Sequence, residues 1–214
     1  MFGYRKISDL PRTIPVFPLA GALLLPQDSL PLNIFEPRYL NMVDDALAGE
    51  RVIGMIQPAL PDPTKPPLAE VGTLGKITSF AETDDGRYLI TLQGVCRFRV
   101  AAELEAGTPY RQINAAYDDF ADDMRRKSGP WKIDKTRLAK ALERYGRARG
   151  FAVDWKIVDG AAPEALVNAV ATICPFDVTA KQHLLEAHTI EDRAATLIAL
   201  LEIDADPGSE NRVQ

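Results

Sequence analysis

Proline sets the first limit on how this chain can fold. Pro11, Pro15 and Pro18 interrupt the opening stretch MFGYRKISDLPRTIPVFPLAG, and five prolines crowd the 13 residues PALPDPTKPPLAE at 58–70. Proline has no amide N–H to give a central β ladder and cannot continue a helix interior. The apolar segments between these breaks must then be short strands at edges or bulges. The 58–70 stretch reads as an exposed excursion without regular pairing.

Those segments carry strand periods. In LPLNI (30–34), Leu30, Leu32 and Ile34 fall on one face, while IPVFPL (14–19) alternates around its own prolines. RVIGMIQ (51–57) is apolar on both faces and predicts a buried strand. GTLGKITSFAET, RYLITLQ and VCRFRVAAELE follow as three strands, with Asp85-Gly86 as a hairpin signal at the first junction, and YRQINAAY (110–117) closes the series. Cys96, Phe98 and Val100 alternate with Arg97 and Arg99, which predicts one apolar and one basic face. Many short strands with frequent breaks suggest a small barrel or highly curved sheets, not a parallel α/β sheet.

The pattern changes near residue 118. DDFADDMRRKSGP is charged and ends in Ser-Gly-Pro, the composition of a linker. Helical periods then take over. Leu138, Leu142 and Tyr145 form one stripe, with Gly150 as the stop, and Leu166, Val167, Val170 and Ile173 form a second behind Pro163 in a first turn. Thr179 and Gln182 have capping-box spacing, and a last helix from near Thr189 turns Ala194, Leu197, Ile198 and Leu201 inward. The resulting division is an N-terminal arm (1–12), a β-rich lobe (13–118), a linker (119–130), a helical lobe (131–203) and a fraying tail (204–214). No internal repeat is present.

The stretch LNIFEPRYLNM (32–42) joins strand to helix. A residue before proline is pushed out of the helical region, and proline suits a first helical position, so Glu36 is expected at the N-cap and Pro37 at the start. The helix should run to about Ala48, with Leu40, Val43 and Leu47 inward and Gly49 as its stop. Arg38 sits badly there, because a cation in the first turn opposes the helix dipole. It therefore requires a carboxylate within hydrogen-bonding reach; found bare in a cleft, it would instead mark a recognition site.

Composition and missing motifs narrow the chemistry. A 46 % hydrophobic and 26 % charged chain has the make-up of a packed globular protein. A formal net charge of −5 disfavours a general nucleic-acid binder, which needs clustered Lys and Arg. No apolar run reaches the roughly 20 residues that span a bilayer, and no signal segment is seen, so a cytoplasmic protein without membrane contact is expected. Cys96 and Cys174 lie far apart without a CxxC and read as buried reduced thiols. GTLGK (72–76) lacks the length and context of a phosphate loop, and no nucleophile motif appears. His183 and His188 are five apart and do not share a helix face. The acidic run Asp118, Asp119, Asp122 and Asp123 lacks a calcium-loop pattern. Neither metal nor cofactor is predicted, and catalysis has no positive support.

Three ordered blocks carry a family resemblance. IPVFPLAGALLLPQDSLPLNIFEPRYLNMVDDAL resembles the opening of the Lon protease N-terminal (substrate-binding) domain, especially its short stand-alone bacterial members. GTLGKITSFAETDDGRYLITLQGVCRFRV is similar to that family's Gly-rich strand and following hairpin, and LVNAVATICPFDVTAKQHLLEAHTIEDRAATLIALL to its helical part. The resemblance covers about residues 13 to 203. It implies an α+β fold in which a β-rich, PUA-like pseudo-barrel lobe is followed by a small helical bundle, serving to recognise polypeptides. In full proteases an ATPase and a Ser-Lys peptidase follow this domain. This chain ends before either could begin, so no catalytic or nucleotide-binding residue carries over.

The function expected is a non-catalytic module that holds unfolded or extended polypeptide segments, as an adaptor or quality-control factor. Proline-interrupted edge strands leave backbone groups open to strand addition, and a groove between lobes would suit an apolar segment. The candidate peptide-binding residues are Asn33, Phe35, Glu36, Arg38 and Tyr39, with Arg97 or Arg99 opposite them. Whether a separate protease cooperates, and the oligomeric state, stay open. The alternative is an RNA-binding PUA-like module using Arg97 and Arg99 with Lys76 and Arg87, disfavoured by the acidic balance and by the lack of an aromatic stacking set.

Overall fold

The computed structural model describes residues 4–59, 66–125 and 131–205. The chain forms two compact units, Met1–Lys127 and Ser128–Gln214. The first contains β1 (Thr13–Pro18), β2 (Ser29–Ile34), α1 (Pro37–Ala48), β3 (Val52–Pro58), β4 (Leu68–Glu82), β5 (Tyr88–Leu104) and β6 (Arg111–Ala116), with 3-10 helices at Ile7–Asp9 and Asp118–Met124. The strands run in the order β2-β5-β4-β3-β1-β6, and β6 pairs back onto β5. Five strands thus close a small barrel, and β2 hangs outside the ring on β5.

β5 makes this possible by serving two sheets. Its first part, 88–93, lies between β2 and β4, while 99–104 pairs with β6 and closes the barrel. RYLITLQ and VCRFRVAAELE, expected as separate strands, are therefore one strand of 17 residues, bent where the register shifts near Gly94. A Cβ on Gly94 would lie 2.1 Å from the Leu25 carbonyl oxygen, so only glycine admits the 25–28 loop there. That loop is tied down by Gln27 N–H to Gly94 O (2.9 Å) and Gly94 N–H to Asp28 O (2.8 Å).

The proline rule holds for β2, an edge strand among the described residues, and needs correction for β1. β1 lies between β3 and β6, but its two sides are used at different places. Residues 13–16 face β6 and 16–18 face β3, so Pro15 and Pro18 each forgo a donor on a side with no partner at that position. β3 is buried almost throughout, as its apolar run predicts. Of the excursion, 60–65 lies outside the described residues.

α1 covers the outer face of the barrel. Tyr39, Met42, Val43 and Ala46 are buried in one cluster with Phe17, Ile53, Met55, Ile77, Ile90 and Leu92. Leu40 and Leu47, expected inward, are only partly buried at its margins. The stripe is rotated because Tyr39 packs its ring 4.2 Å from that of Phe17. Residues 118–124, read as linker, form a 3-10 helix whose Phe120 is buried; 126–130 lie outside the described residues.

The second unit comprises α2 (Lys135–Arg149), α3 (Trp155–Gly160), α4 (Pro163–Ile173), α5 (Val178–Glu186) and α6 (Ile190–Asp204). Leu138, Leu142 and Tyr145 are buried, as are Leu166, Val167 and Val170 and the four α6 residues named above. Gly150 ends α2 in the left-handed conformation, with φ of 74°. Ile173 departs from its stripe and is 79 % exposed, because α4 ends there and Cys174 takes the inward place. The α5 cap is Asp177, accepting from Ala180 N–H at 2.7 Å, in place of Thr179 with Gln182. The capping box belongs to α6, between Thr189 and Asp192. α3, six residues long, is too short to show a helical period and was not expected. Both cysteines are free and buried. No helix among the described residues is long and apolar enough to cross a membrane.

Candidate functional site

The junction after β2 is built by local rules. Glu36 is extended (φ −74°, ψ 131°) and Pro37 opens α1. The Glu36 carbonyl accepts from Tyr39 N–H at 2.9 Å and Leu40 N–H at 3.0 Å, which starts the helix, and Asn41 Nδ2 donates to Pro37 O at 2.8 Å. The Glu36 carboxylate makes no capping bond. It accepts instead from Arg38 Nε (3.0 Å) and Nη2 (2.7 Å) on a single oxygen.

The carboxylate that Arg38 requires is thus its own neighbour. Its guanidinium also lies 4.5 Å above the Tyr39 ring, a cation–π contact. The pair is about half exposed, the range in which such bridges contribute about 0–1 kcal/mol. Phe35, which precedes the extended Glu36 and the fixed Pro37, is 63 % exposed. Tyr39 is buried against Phe17, and burial raises its phenol pKa above the ordinary value.

Asn33 is exposed on β2 and stands in register with Leu89 of β5, itself 45 % exposed. On the opposite face Phe80 and Tyr88 stack edge to face at 5.0 Å, Phe80 being 39 % exposed. β2, β5 and the end of β4 therefore make a three-stranded wing with large apolar side chains on both faces. Sequence reasoning did not single out Phe80, Tyr88 or Leu89. The alternation in RYLITLQ was the available signal, but choosing its solvent face requires the pairing.

Arg97 and Arg99 are not brought to this segment. Arg97 lies eight residues beyond Leu89 on β5, up to roughly 26 Å at strand rise. It is buried, with Nε and Nη2 on Asp123 at 2.8 and 2.9 Å, its backbone N–H on the same carboxylate at 3.0 Å, and its guanidinium 4.6 Å over Phe120. Its expected place on a solvent-facing basic row is thereby corrected: it fastens the 118–124 helix to the barrel. Arg99 is shared between Asp119 (3.0 Å) and Glu70 (3.1 Å). Lys76 donates to the Glu50 carbonyl and Arg87 pairs with Asp85. Three of the four cations proposed for RNA are therefore paired with carboxylates, and the fourth, Lys76, is engaged by a backbone carbonyl.

Residues 13–202 match the family profile described as the ATP-dependent protease La (LON) substrate-binding domain. The chain belongs to this family. A LON relative, the Lon protease of Desulfosudis oleivorans, is 24 % identical over 199 residues, which cover 87 % of this chain and 23 % of that protein. The Lon protease of Dictyoglomus thermophilum is 34 % identical over 107 residues, 49 % of this chain and 13 % of that protein. The chain thus spans about a quarter or less of these relatives. Among solved structures, the Lon N-terminal domain protein from Xanthomonas campestris matches with a TM-score of 0.61 and 23 % identity, covering 87 % of this chain and 97 % of that one. The N-terminal domain of the Mycobacterium avium complex Lon protease also gives 0.61, at 17 % identity, covering 88 % and 97 %.

The LON domain fold is accordingly that of this chain: α+β, with a barrel-forming sheet followed by helices. The relatives align to their substrate-binding region, not to a catalytic one. Among the described residues, no group of three or more His, Cys, Asp or Glu is placed to hold a metal ion. Burial raises the Cys174 thiol to about 11 and pushes Cys96 higher still, so neither is an activated nucleophile in this fold.

Proposed function

We propose that this chain is a non-catalytic polypeptide-recognition module, holding exposed apolar or extended segments of client proteins on the surface of residues 33–39 as an adaptor or quality-control factor. The observation that supports this most directly is Phe35, a large aromatic exposed to solvent beside a junction whose charged residues are already paired to each other. Asn33, Glu36 and Arg38, its neighbours along the chain, are at least partly exposed, and Tyr39 anchors the helix start against Phe17. The name of the family, a substrate-binding domain, points the same way. Two buried reduced thiols suit work in the cytoplasm.

A photo-crosslinker placed at Phe35 and presented with unfolded casein tests the site. Cross-links at this position, lost on competition with unlabelled casein, are expected. Cross-links only at control positions elsewhere would end the assignment. Incubation of casein with the purified chain, with and without ATP, should leave it intact.

A further inference from the structure

The wing described above carries more than exposed apolar side chains. Segments 28–44 and 78–93 contain six carboxylates (Asp28, Glu36, Asp44, Glu82, Asp84 and Asp85) and two guanidiniums (Arg38 and Arg87), whereas Asp45, next along α1, accepts from Tyr110 Oη at 2.6 Å and does not belong to the set. Their net charge is −4, out of −5 for the whole chain, so the rest of the protein carries a formal charge of only −1. Both guanidiniums are held by carboxylates of the set, Glu36 and Asp85. Among the described residues no cation pairs with Asp44, Glu82 or Asp84.

The same region holds the open strand edge. β2 pairs only with β5 among the described residues, and alternate residues of an antiparallel edge strand direct N–H and C=O groups outward. Pro31 removes at most one donor from that row. A strand laid along β2 would have the Leu30, Leu32 and Ile34 row on one side and the Pro31 and Asn33 row on the other, with Phe35 at its end. Backbone bonding of this kind tolerates many sequences, so selectivity falls to side chains and field. Carboxylates on β4, two strands away, act at about the physiological screening length of ~8 Å and beyond, favouring cations by steering more than by fixed pairing.

We infer that β2 takes up an extended segment of another polypeptide by strand addition, and that the wing selects segments in which Lys or Arg are interspersed with apolar residues. This rests on the polypeptide-recognition reading and assigns its mode and its preferred chemistry.

The test is fluorescence anisotropy on the full chain with three dye-labelled peptides of one length: alternating Val and Lys, alternating Val and Glu, and the Val-Lys peptide N-methylated at every second residue. Unfolded casein serves as a fourth ligand. The Val-Lys peptide should bind at least tenfold more tightly than the other two and weaken as salt rises. The surface variant Glu82→Lys with Asp84→Lys, checked for native circular dichroism, should abolish or reverse the preference. Amide shifts on binding should centre on 29–34. Casein binding with no discrimination among the peptides would overturn the strand-addition proposal and leave the broader reading standing. Failure of every ligand, casein included, would overturn both.

Discussion

Replacing Asp123 by Ala should be among the most damaging single changes in the first unit. Asp123 is 8 % and Arg97 6 % exposed in their side chains, and the carboxylate accepts three hydrogen bonds, two from the guanidinium and one from the Arg97 N–H. Its removal takes that carboxylate from a buried guanidinium and a buried backbone donor, a loss of about 3–5 kcal/mol for a broken buried pair. Replacing both partners by apolar residues of similar size, Arg97→Met with Asp123→Leu, should recover most of that, because no charge is then stranded. Trp131 and Trp155 both lie in the second unit, so tryptophan emission reports the wrong region. Amide hydrogen exchange along β5 and β6 is the proper readout. At 1.4 kcal/mol per decade, exchange there should accelerate by about two to three and a half orders of magnitude in Asp123→Ala. A loss below about 1 kcal/mol, or a double variant no better than the single one, would refute the view that stranded charge is the cause.

Three further outcomes are expected. Gly94→Ala places a methyl 2.1 Å from the Leu25 carbonyl, a backbone clash that side-chain motion cannot relieve; a loss at or above the usual 1–3 kcal/mol of overpacking should appear in urea melts followed by exchange at β5. Arg38→Ala removes a half-exposed pair and should cost no more than about 1 kcal/mol in the same melts, while loosening the junction beside Phe35 and so weakening casein cross-linking there. Cys96, Cys174 and Tyr110 all have folded pKa values above their unfolded ones, Cys174 rising from 9.0 to about 11 and Tyr110 from 10.0 to about 12. The folded state therefore binds more protons above pH 9, and stability, complete below that point, should fall as pH rises from 9 toward 11. Urea midpoints across that range check the sign.

The legible parts of the fold were those governed by neighbours in sequence. The extended Glu36 before Pro37, the α2 stop at Gly150 and the burial of β3 follow from proline geometry, glycine freedom and apolar continuity over a few residues. The carboxylate needed by Arg38 was predictable from helix electrostatics, and its identity as Glu36 is again local. Misplacements came where two choices were locally equal. Thr179 with Gln182 and Asp177 with Ala180 N–H are both plausible caps, and the position of the 174–176 turn decided between them. For the candidate site, Phe35 was named from the junction alone, whereas Leu89, Phe80 and Tyr88 became visible only through the register of β2 on β5 and of β5 on β4.

By itself, then, the sequence determined that a strand-rich half precedes a helical half, that prolines must sit where no donor is required, and that α1 starts at Pro37 and α2 stops at Gly150. The tertiary structure alone decided that β5 is one strand serving two sheets, that β1 lies inside the ring, that Arg97 is buried, and that the acidic 82–85 turn shares a three-stranded wing with the open β2 edge. A proline at a helix start or a left-handed glycine at a helix stop is settled by forces acting over a few residues. Register and ion-pair partners depend on groups far apart in the chain, such as Arg97 and Asp123, 26 positions apart, or Asn33 and Leu89. Their meeting depends on which way the barrel closes, and no local preference records that.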